Sequence, residues 1–138
     1  MESTLVLIKP DAFKKGNAGA ILQRYEAKGL KIQAMKLMQM TPEIASQHYA
    51  EHVGKGFYAS LVEFMTSAPL VALVLGGEDA IAKVRALNGA TNPEKAEPGT
   101  IRADFAESMT YNAVHASDSP ESAKREISIF FTDKEIFA

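Results

Sequence analysis

The run from Leu70 to Leu75, six consecutive apolar residues bracketed by Pro69 and Gly76, constrains the fold more than any other stretch. A strand with one wet face alternates apolar and polar residues, so an unbroken run of this length fits a buried central strand. Such a strand needs neighbours in a sheet and helices to cover it, and the rest of the sequence offers both. A strand over roughly Thr4 to Lys9 is ended by Pro10, which cannot donate to a ladder and restricts the residue before it. A helix follows over about Ala18 to Lys28, with Ile21, Leu22 and Tyr25 on its apolar stripe, Asn17 as its expected cap and Gly29 as its stop.

Leu30 to Met40 reads as a second strand. Leu30, Ile32 and Ala34 alternate with Lys31 and Gln33 until the phase shifts at Met35, the mark of a bulge or a strong bend. Thr41, Pro42 and Glu43 make a helix start: a capping hydroxyl, a proline suited to the first helical position and an acid suited to the dipole. Two short helices are expected, about Pro42 to Glu51 and Phe57 to Thr66, separated by residues 53–56. Glu78 to Leu87 reads as another helix, with Ile81, Val84 and Leu87 on one face and Asn88 then Gly89 at its end. From Ala90 to Ser119 the pattern fails, because Pro93, Pro98 and Gly99 break any long element and only Tyr111 to His115 has the character of a short strand. A loop this long in a compact domain is more often functional than idle. Ser119 and Pro120 start a last helix, with Ala123, Ile127 and Phe131 at spacings of four. A split ferredoxin-like sheet with helices packed on one face accommodates this order, and a doubly wound parallel sheet fits it as well.

Length and composition bound the rest. At 138 residues the chain fits a single domain, residues 1–138, with a core that needs no staples. The apolar runs are far too short to cross a bilayer, so no membrane span is expected. Met1 and Glu2 lead directly into the first strand without a basic segment or a long apolar one, which leads to the expectation of a cytoplasmic protein with no secretory signal. The absence of cysteine excludes a disulfide framework, a thiolate metal site and cysteine catalysis. With a net charge of -2 there is no broad attraction to nucleic acid, and any phosphate recognition must come from a local cluster of cations.

The three histidines are unequal candidates for chemistry. His48 and His52 stand four apart on an expected helix, which puts both imidazoles on one face, as in helical zinc sites. Glu51 precedes His52 instead of following His48, and no third ligand lies nearby in sequence, so a plain polar helix face is the reading adopted. His115 lies at the end of the short strand, inside the long loop, with Asn112, Ser117, Asp118 and Glu126 close in sequence. A neutral imidazole is a competent phosphoryl acceptor. From spacing alone, a nucleophile and a satisfied structural histidine stand as equal readings of His115.

The usual glycine motifs for phosphate are missing. No Walker sequence occurs, and the degenerate dinucleotide pattern at Gly54, Gly56 and Ala59 has neither a preceding strand nor an acidic ribose partner. Lys9, Arg85 and Arg102 remain as cations, each by itself an ordinary solvated charge. Lys55, Gly56 and Phe57, with Val62, are similar to the aromatic strand of an RNA-recognition module. The spacing of Phe57, Leu61 and Phe64 is helical and the charge balance is acidic, and both oppose that reading.

The stretch from Asn112 through Ala113, Val114, His115, Ala116, Ser117 and Asp118 to Ser119 carries a resemblance. Read with Thr91 to Pro93, Pro98 to Arg102 and the opening Lys9, Pro10, Asp11 and Ala12, it resembles the nucleoside diphosphate kinase family over essentially the whole chain. His48 with Tyr49, Phe57 with Tyr58, and Glu126 also fall where that family has counterparts. The resemblance implies an α+β fold, a ferredoxin-like α/β sandwich whose four-stranded antiparallel sheet is covered by helices. It implies transfer of the γ-phosphate of a nucleoside triphosphate, typically ATP, to a nucleoside diphosphate in two half-reactions joined by a phosphohistidine. His115 would be the nucleophile, with Glu126 and Ser117 orienting its ring. Arg85, Thr91 and Arg102 would grip the distal phosphates, Lys9 and Asn112 would hold the sugar 3′-hydroxyl, and Tyr49 would support Lys9. Phe57 would stack on the base with little selectivity between bases, since stacking reads only a π-face. Mg2+ would be held mainly by the substrate phosphates and water. The family forms homo-oligomers built from dimers, and the end of the sequence soon after Phe130 and Phe131 points to a tetramer over a hexamer.

Three positions depart from the commonest family pattern: Ala116 and Ala103 stand where glycine is usual, and Gly56 where proline is. A positive φ at Ala116 would cost about 1 kcal/mol; an ordinary negative φ and retained activity are expected there. The competing readings are a non-catalytic nucleotide-binding relative, which would form no phosphohistidine, and an RNA-binding module, whose affinity for single strands would depend on salt and on Phe57.

Overall fold

The computed structural model describes residues 2–137. Its strands are β1 (Glu2–Ile8), β2 (Lys31–Met38), β3 (Leu70–Gly77) and β4 (Val114–Ala116), joined in one sheet in the order β2-β3-β1-β4. Every pairing is antiparallel, which removes the doubly wound alternative. The helices are α1 (Pro10–Lys14), α2 (Ala18–Ala27), α3 (Pro42–His48), α4 (Tyr58–Met65), α5 (Ala80–Asn88), α6 (Ile101–Phe105) and α7 (Pro120–Phe130). None of the described helices is long and apolar enough to cross a membrane.

The sheet's interior strands explain the unbroken apolar run. In register, Leu73 sits opposite Val6 and Val74 opposite Leu5. Val6, Ile8, Leu73 and Leu75 pack against Ile21 and Tyr25 of α2, Ala80 and Val84 of α5 and Ile101 of α6. Leu5, Leu7, Ala72 and Val74 pack against Ala45 of α3, Phe64 and Met65 of α4 and Phe130 of α7. Helices therefore cover both faces, where the order of elements had pointed to one. Both sets of alternating side chains are dry, so the strand has no polar face to show. Each fully buried aliphatic side chain here stabilises by about 1.5–3 kcal/mol.

The bulge in β2 lies two residues earlier than the change of phase at Met35 indicated. Ile32 pairs with Leu75 and Ala34 with Val74, leaving Gln33 as the extra residue. The end of the Gln33 side chain lies over Gly76, where an added Cβ would come within 2.6 Å of it and would displace that side chain. Beyond the bulge, Met35 and Leu37 on the sheet edge are left 53% and 60% exposed.

Some helix starts follow local chemistry. The Thr41 and Ser119 hydroxyls accept from the backbone N–H groups of Ile44 and Ser122, as their positions predict. Asn17 precedes α2 but its side chain makes no capping bond. The expected helix ending at Glu51 stops at His48, and a separate 3-10 turn spans Ala50–His52. The region from Ala90 to Ser119 contains more structure than its breakers indicated: a 3-10 turn at Pro93–Lys95, and α6, capped by the Thr100 hydroxyl accepting from Ala103 N. These pieces, like the five-residue α1, are too short to display a period.

Candidate active site

The site lies where β1 ends, beside β4. Lys9 directly follows β1, and its backbone N–H donates to the Ala113 carbonyl over 2.8 Å, which ties the end of β1 to the segment that leads into β4. His115 is the middle residue of β4, paired with Leu7. A cavity of about 280 Å3 opens here, lined by Lys9, Tyr49, Leu61, Arg85, Thr91, Arg102, Asn112, His115, Asp118 and Glu126, with Val114 and Ala116. The structure thus brings together eight of the ten residues predicted from sequence for substrate and catalysis. Ser117 lies just behind them, fully buried. Phe57 does not line the cavity: it is half exposed and makes an edge contact with His52 at 5.2 Å between ring centroids. A line of rings nevertheless links it to the site, from His115 through His48 and Tyr49 to His52 and Phe57.

The His115 imidazole is oriented by a relay that begins in the sheet. Leu5 N donates to Ser117 Oγ over 3.3 Å, Ser117 Oγ donates to Glu126 Oε1 over 2.8 Å, and His115 Nε2 lies 2.9 Å from that same oxygen. Burial pushes the Glu126 carboxyl up, but the hydrogen bond and charge of His115, with the Ser117 hydroxyl, outweigh it and hold the group below the usual carboxylate value. An ionised carboxylate can only accept, so Nε2 carries the proton and Nδ1 keeps a lone pair. The ring is partly exposed at 27%, against 8% for the Glu126 side chain.

The cations converge from separate elements. Arg102 of α6 donates to the carbonyls of Gly89 and Val114, both over 2.9 Å, while its buried Nε has no partner in the protein. Burial lowers its affinity for its proton and neighbouring Arg85 adds to this, yet a guanidinium stays charged at any physiological pH. Gly89 has φ +84°, and a Cβ there would meet Thr100 at 2.6 Å, so glycine is needed where its carbonyl receives Arg102. Lys9 Nζ donates to Asn112 Oδ1 over 2.8 Å. Burial, opposed by Asp11 and reinforced by Arg102, pushes Lys9 down to about 8. Lys9, Arg85 and Arg102 line the cavity together with the Thr91 hydroxyl, groups able to make charge-assisted bonds to an anion.

The backbone before His115 is strained at Ala113 and not at Ala116. Ala113 has φ 73°, while positions 103 and 116 are not among the left-handed residues. Val114 N donates to Asn112 O over 2.9 Å, which with the positive φ describes a γ-turn. The turn is clamped by Asp11, whose Oδ2 accepts from Ala113 N over 3.1 Å, and by Lys9 N on the Ala113 carbonyl. It ends the strand that the sequence placed from Tyr111, so that β4 begins only at Val114. It also sends the Asn112 side chain toward Lys9 and the His115 ring toward Glu126.

Sequence reasoning gave no role to Asp11, Leu61 or Asp118. Asp11 and Asp118 stand inside the quoted motifs, but the partner of Asp11, Ala113, is distant in sequence. Leu61 read as one more apolar residue on the stripe of α4, and nothing local distinguishes a lining leucine from a core one.

Three comparisons bear on the chain as a whole. A family model described as nucleoside diphosphate kinase matches residues 2–136. A nucleoside diphosphate kinase from Listeria monocytogenes serotype 4b (strain CLIP80459) is 55% identical over 138 residues, covering 100% of this chain and 94% of that protein. The solved nucleoside diphosphate kinase of Aquifex aeolicus superposes with a TM-score of 0.94 at 48% identity, covering 98% of both chains. That of Halobacterium salinarum, a halophilic nucleoside diphosphate kinase in complex with CDP, superposes with a TM-score of 0.96 at 44% identity over 99% of this chain and 91% of its own.

Proposed function

The chain belongs to the nucleoside diphosphate kinase family, and from that premise we propose that it passes the γ-phosphate of a nucleoside triphosphate, typically ATP, to a nucleoside diphosphate through a phosphohistidine at His115. The observation that carries the assignment of the nucleophile is the bond from His115 Nε2 to Glu126 Oε1 at 2.9 Å, which leaves Nδ1 with the lone pair.

In the first half-reaction Nδ1 attacks the γ-phosphorus, the bond to the β–γ bridging oxygen breaks, and the nucleoside diphosphate leaves with that electron pair. The ring becomes a phosphorylated imidazolium, and Glu126, already ionised, stabilises the positive charge through Nε2–H. Ser117 holds the carboxylate so that no reorganisation is needed at the moment of transfer. Arg85, Arg102 and Thr91 neutralise charge spread over the equatorial oxygens in the loose transition state. Lys9 and Asn112, joined at 2.8 Å, hold the sugar 3′-hydroxyl, and Tyr49 braces Lys9 and the phosphate. A second nucleoside diphosphate then takes the phosphoryl group by the reverse path, giving ping-pong kinetics. Phe57 offers an exposed ring face to the base and Leu61 a flat apolar wall, neither of which consults base edges, so selectivity between bases is low. The CDP bound in the Halobacterium salinarum relative supports nucleotide binding in this fold.

The reaction uses a divalent metal, for which Mg2+ is the natural choice. The lining fits an ion carried by the substrate: Glu126 is committed to His115 and Ser117, and Asp118 is the one other carboxylate of the lining. Magnesium prefers oxygen and retains waters, so phosphates and water hold it, with Asp118 able to receive a metal-bound water. When bound, the ion would neutralise charge on the substrate phosphates.

Residues 1–138 act as one catalytic domain in the cytoplasm, on free nucleotides, with neither nucleic acid nor membrane as partner. The exposed Met35 and Leu37 on β2, the outer strand of the sheet, favour association through that strand into a dimer, and dimers pair into a tetramer. Light scattering that returned a monomer would overturn the assembly. Incubation with γ-labelled ATP and Mg2+ tests the activity: an acid-labile phosphate forms on the wild-type chain, passes to added nucleoside diphosphate and is lost in His115→Asn. A chain that binds nucleotide without labelling would be a non-catalytic relative.

A further inference from the structure

His48 has no role in the transfer just described, yet it is buried beside His115, with ring centroids 4.6 Å apart. Both of its ring nitrogens are buried without a hydrogen-bond partner. A buried polar group left unpaired in a packed site requires an explanation, and a ligand is one of the standard ones. One nitrogen of His48, one nitrogen of His115 and a carboxylate oxygen of Glu126 all lie within 4.8 Å of one another. We propose that His48, His115 and Glu126 form a second metal site, taking a borderline divalent cation such as Zn2+, and that its occupation switches phosphoryl transfer off.

Two imidazoles and one carboxylate are the donor set of open zinc sites, and zinc bonds of about 2.0–2.2 Å place neighbouring donors roughly 3.3–3.5 Å apart. His115 Nε2 and Glu126 Oε1 are already at 2.9 Å, so closure requires mainly that His48 move inward. His48 is the last residue of α3, where the side chain is held by rings and not by hydrogen bonds. Ser117, donating to Glu126, supplies the outer support that metal-binding carboxylates usually have. Three protein donors leave a fourth position for water, as in open zinc sites. Mg2+ does not compete, since it prefers oxygen and gives up its waters reluctantly.

Inhibition follows from the tautomer. A neutral imidazole has one proton, and if Nε2 binds the cation that proton passes to Nδ1. The lone pair that attacks phosphorus is then absent. This consequence rests on the function proposed above, whereas the donor set does not.

The test uses the full chain without nucleotide, titrated with Co2+ as a visible reporter and then with Zn2+ in competition. One Zn2+ binds per chain and displaces Co2+. His48→Phe and Glu126→Gln each weaken binding by at least about 100-fold, since even outer-shell losses cost about 10–100-fold. His52→Asn leaves it unchanged. X-ray absorption of the wild-type zinc protein finds two imidazoles at the ion, a readout that does not depend on any variant folding. With Mg2+ and ATP present, Zn2+ suppresses phosphohistidine formation and a zinc-selective chelator restores it. Fewer than two imidazoles, or equal affinity in His48→Phe, overturns the site. Zinc bound at the site with labelling undiminished overturns the switch. Labelling that fails without zinc overturns the proposed function, while the Co2+ spectrum still judges the site.

Discussion

Glu126→Gln keeps the side chain's shape while removing its charge, and with it the 3.7 Å ion pair to Arg125, which makes it a sharp probe of how the proposed nucleophile is tuned. In the wild-type chain a single oxygen, Oε1, accepts from Ser117 at 2.8 Å and faces His115 Nε2 at 2.9 Å. The glutamine carbonyl can keep both partners, since Ser117 donates and so favours an oxygen at that place. What changes is the bond that faces the imidazolium formed as phosphorus is attacked. Hydrogen bonds to a charged group contribute about 1.5–3 kcal/mol and neutral ones about 0.5–1.5, so the transition state loses roughly 1–2 kcal/mol. At about 1.4 kcal/mol per factor of ten, the phosphorylation step slows by about 5- to 30-fold. Rapid-quench measurement of phosphohistidine formation at saturating ATP reads that step directly. Affinity for ATP changes little, because Glu126 reaches phosphate only through the ring. A rate within about twofold of wild type, or an effect confined to KM, would refute the proposed role of the carboxylate.

Other perturbations follow from the same geometry. Lys9 is charged below about 8, so kcat/KM for nucleotide falls as pH rises through that value, and Lys9→Gln lacks this alkaline limb in a pH-rate profile. Burial above all, with His115, Arg125 and Lys9 adding to it and Glu126 opposing, pushes His48 down to about 3 from an ordinary 6.5. The unfolded chain therefore takes up a proton between these values that the folded chain refuses, and stability is lost as pH falls through that window, by about 4–5 kcal/mol in all. Urea unfolding of His48→Phe shows that dependence flattened, and an unchanged slope would contradict it. At Ala113, φ 73° costs an L-residue about 1–2 kcal/mol, nearly offset by its buried methyl group. Ala113→Gly accordingly melts within about 1 kcal/mol of wild type, while the β-branched Ala113→Val loses more than about 2 kcal/mol.

How much of this was legible in the sequence varied with the physical scale of the signal. The interior strand at Leu70 to Leu75 was plain because both sheet faces are dry. Thr41 and Ser119 announced their helices through chemistry contained within four residues. By contrast, α6 has five residues and one buried side chain, Ile101, so no period marks it. The strain at Ala113 was equally hidden: the clamp that enforces it comes from Asp11, a hundred positions away in the chain. The site motifs pointed to Lys9, Arg85, Arg102 and His115 only through the family resemblance, since each alone is an ordinary polar residue. The same limit applied to His48. Its neighbour four residues on, His52, drew attention to a helix face, whereas two of the rings it touches, His115 of β4 and Phe130 of α7, are distant in sequence.

The proposed chemistry depends on which nitrogen of one ring meets phosphorus. Proteolysis of the labelled chain under alkaline conditions, followed by NMR identification of the phosphohistidine isomer, tests this most directly. The result predicted is a single P–N bond at Nδ1 of His115. Phosphate on Nε2, or on His48 or His52, would contradict it.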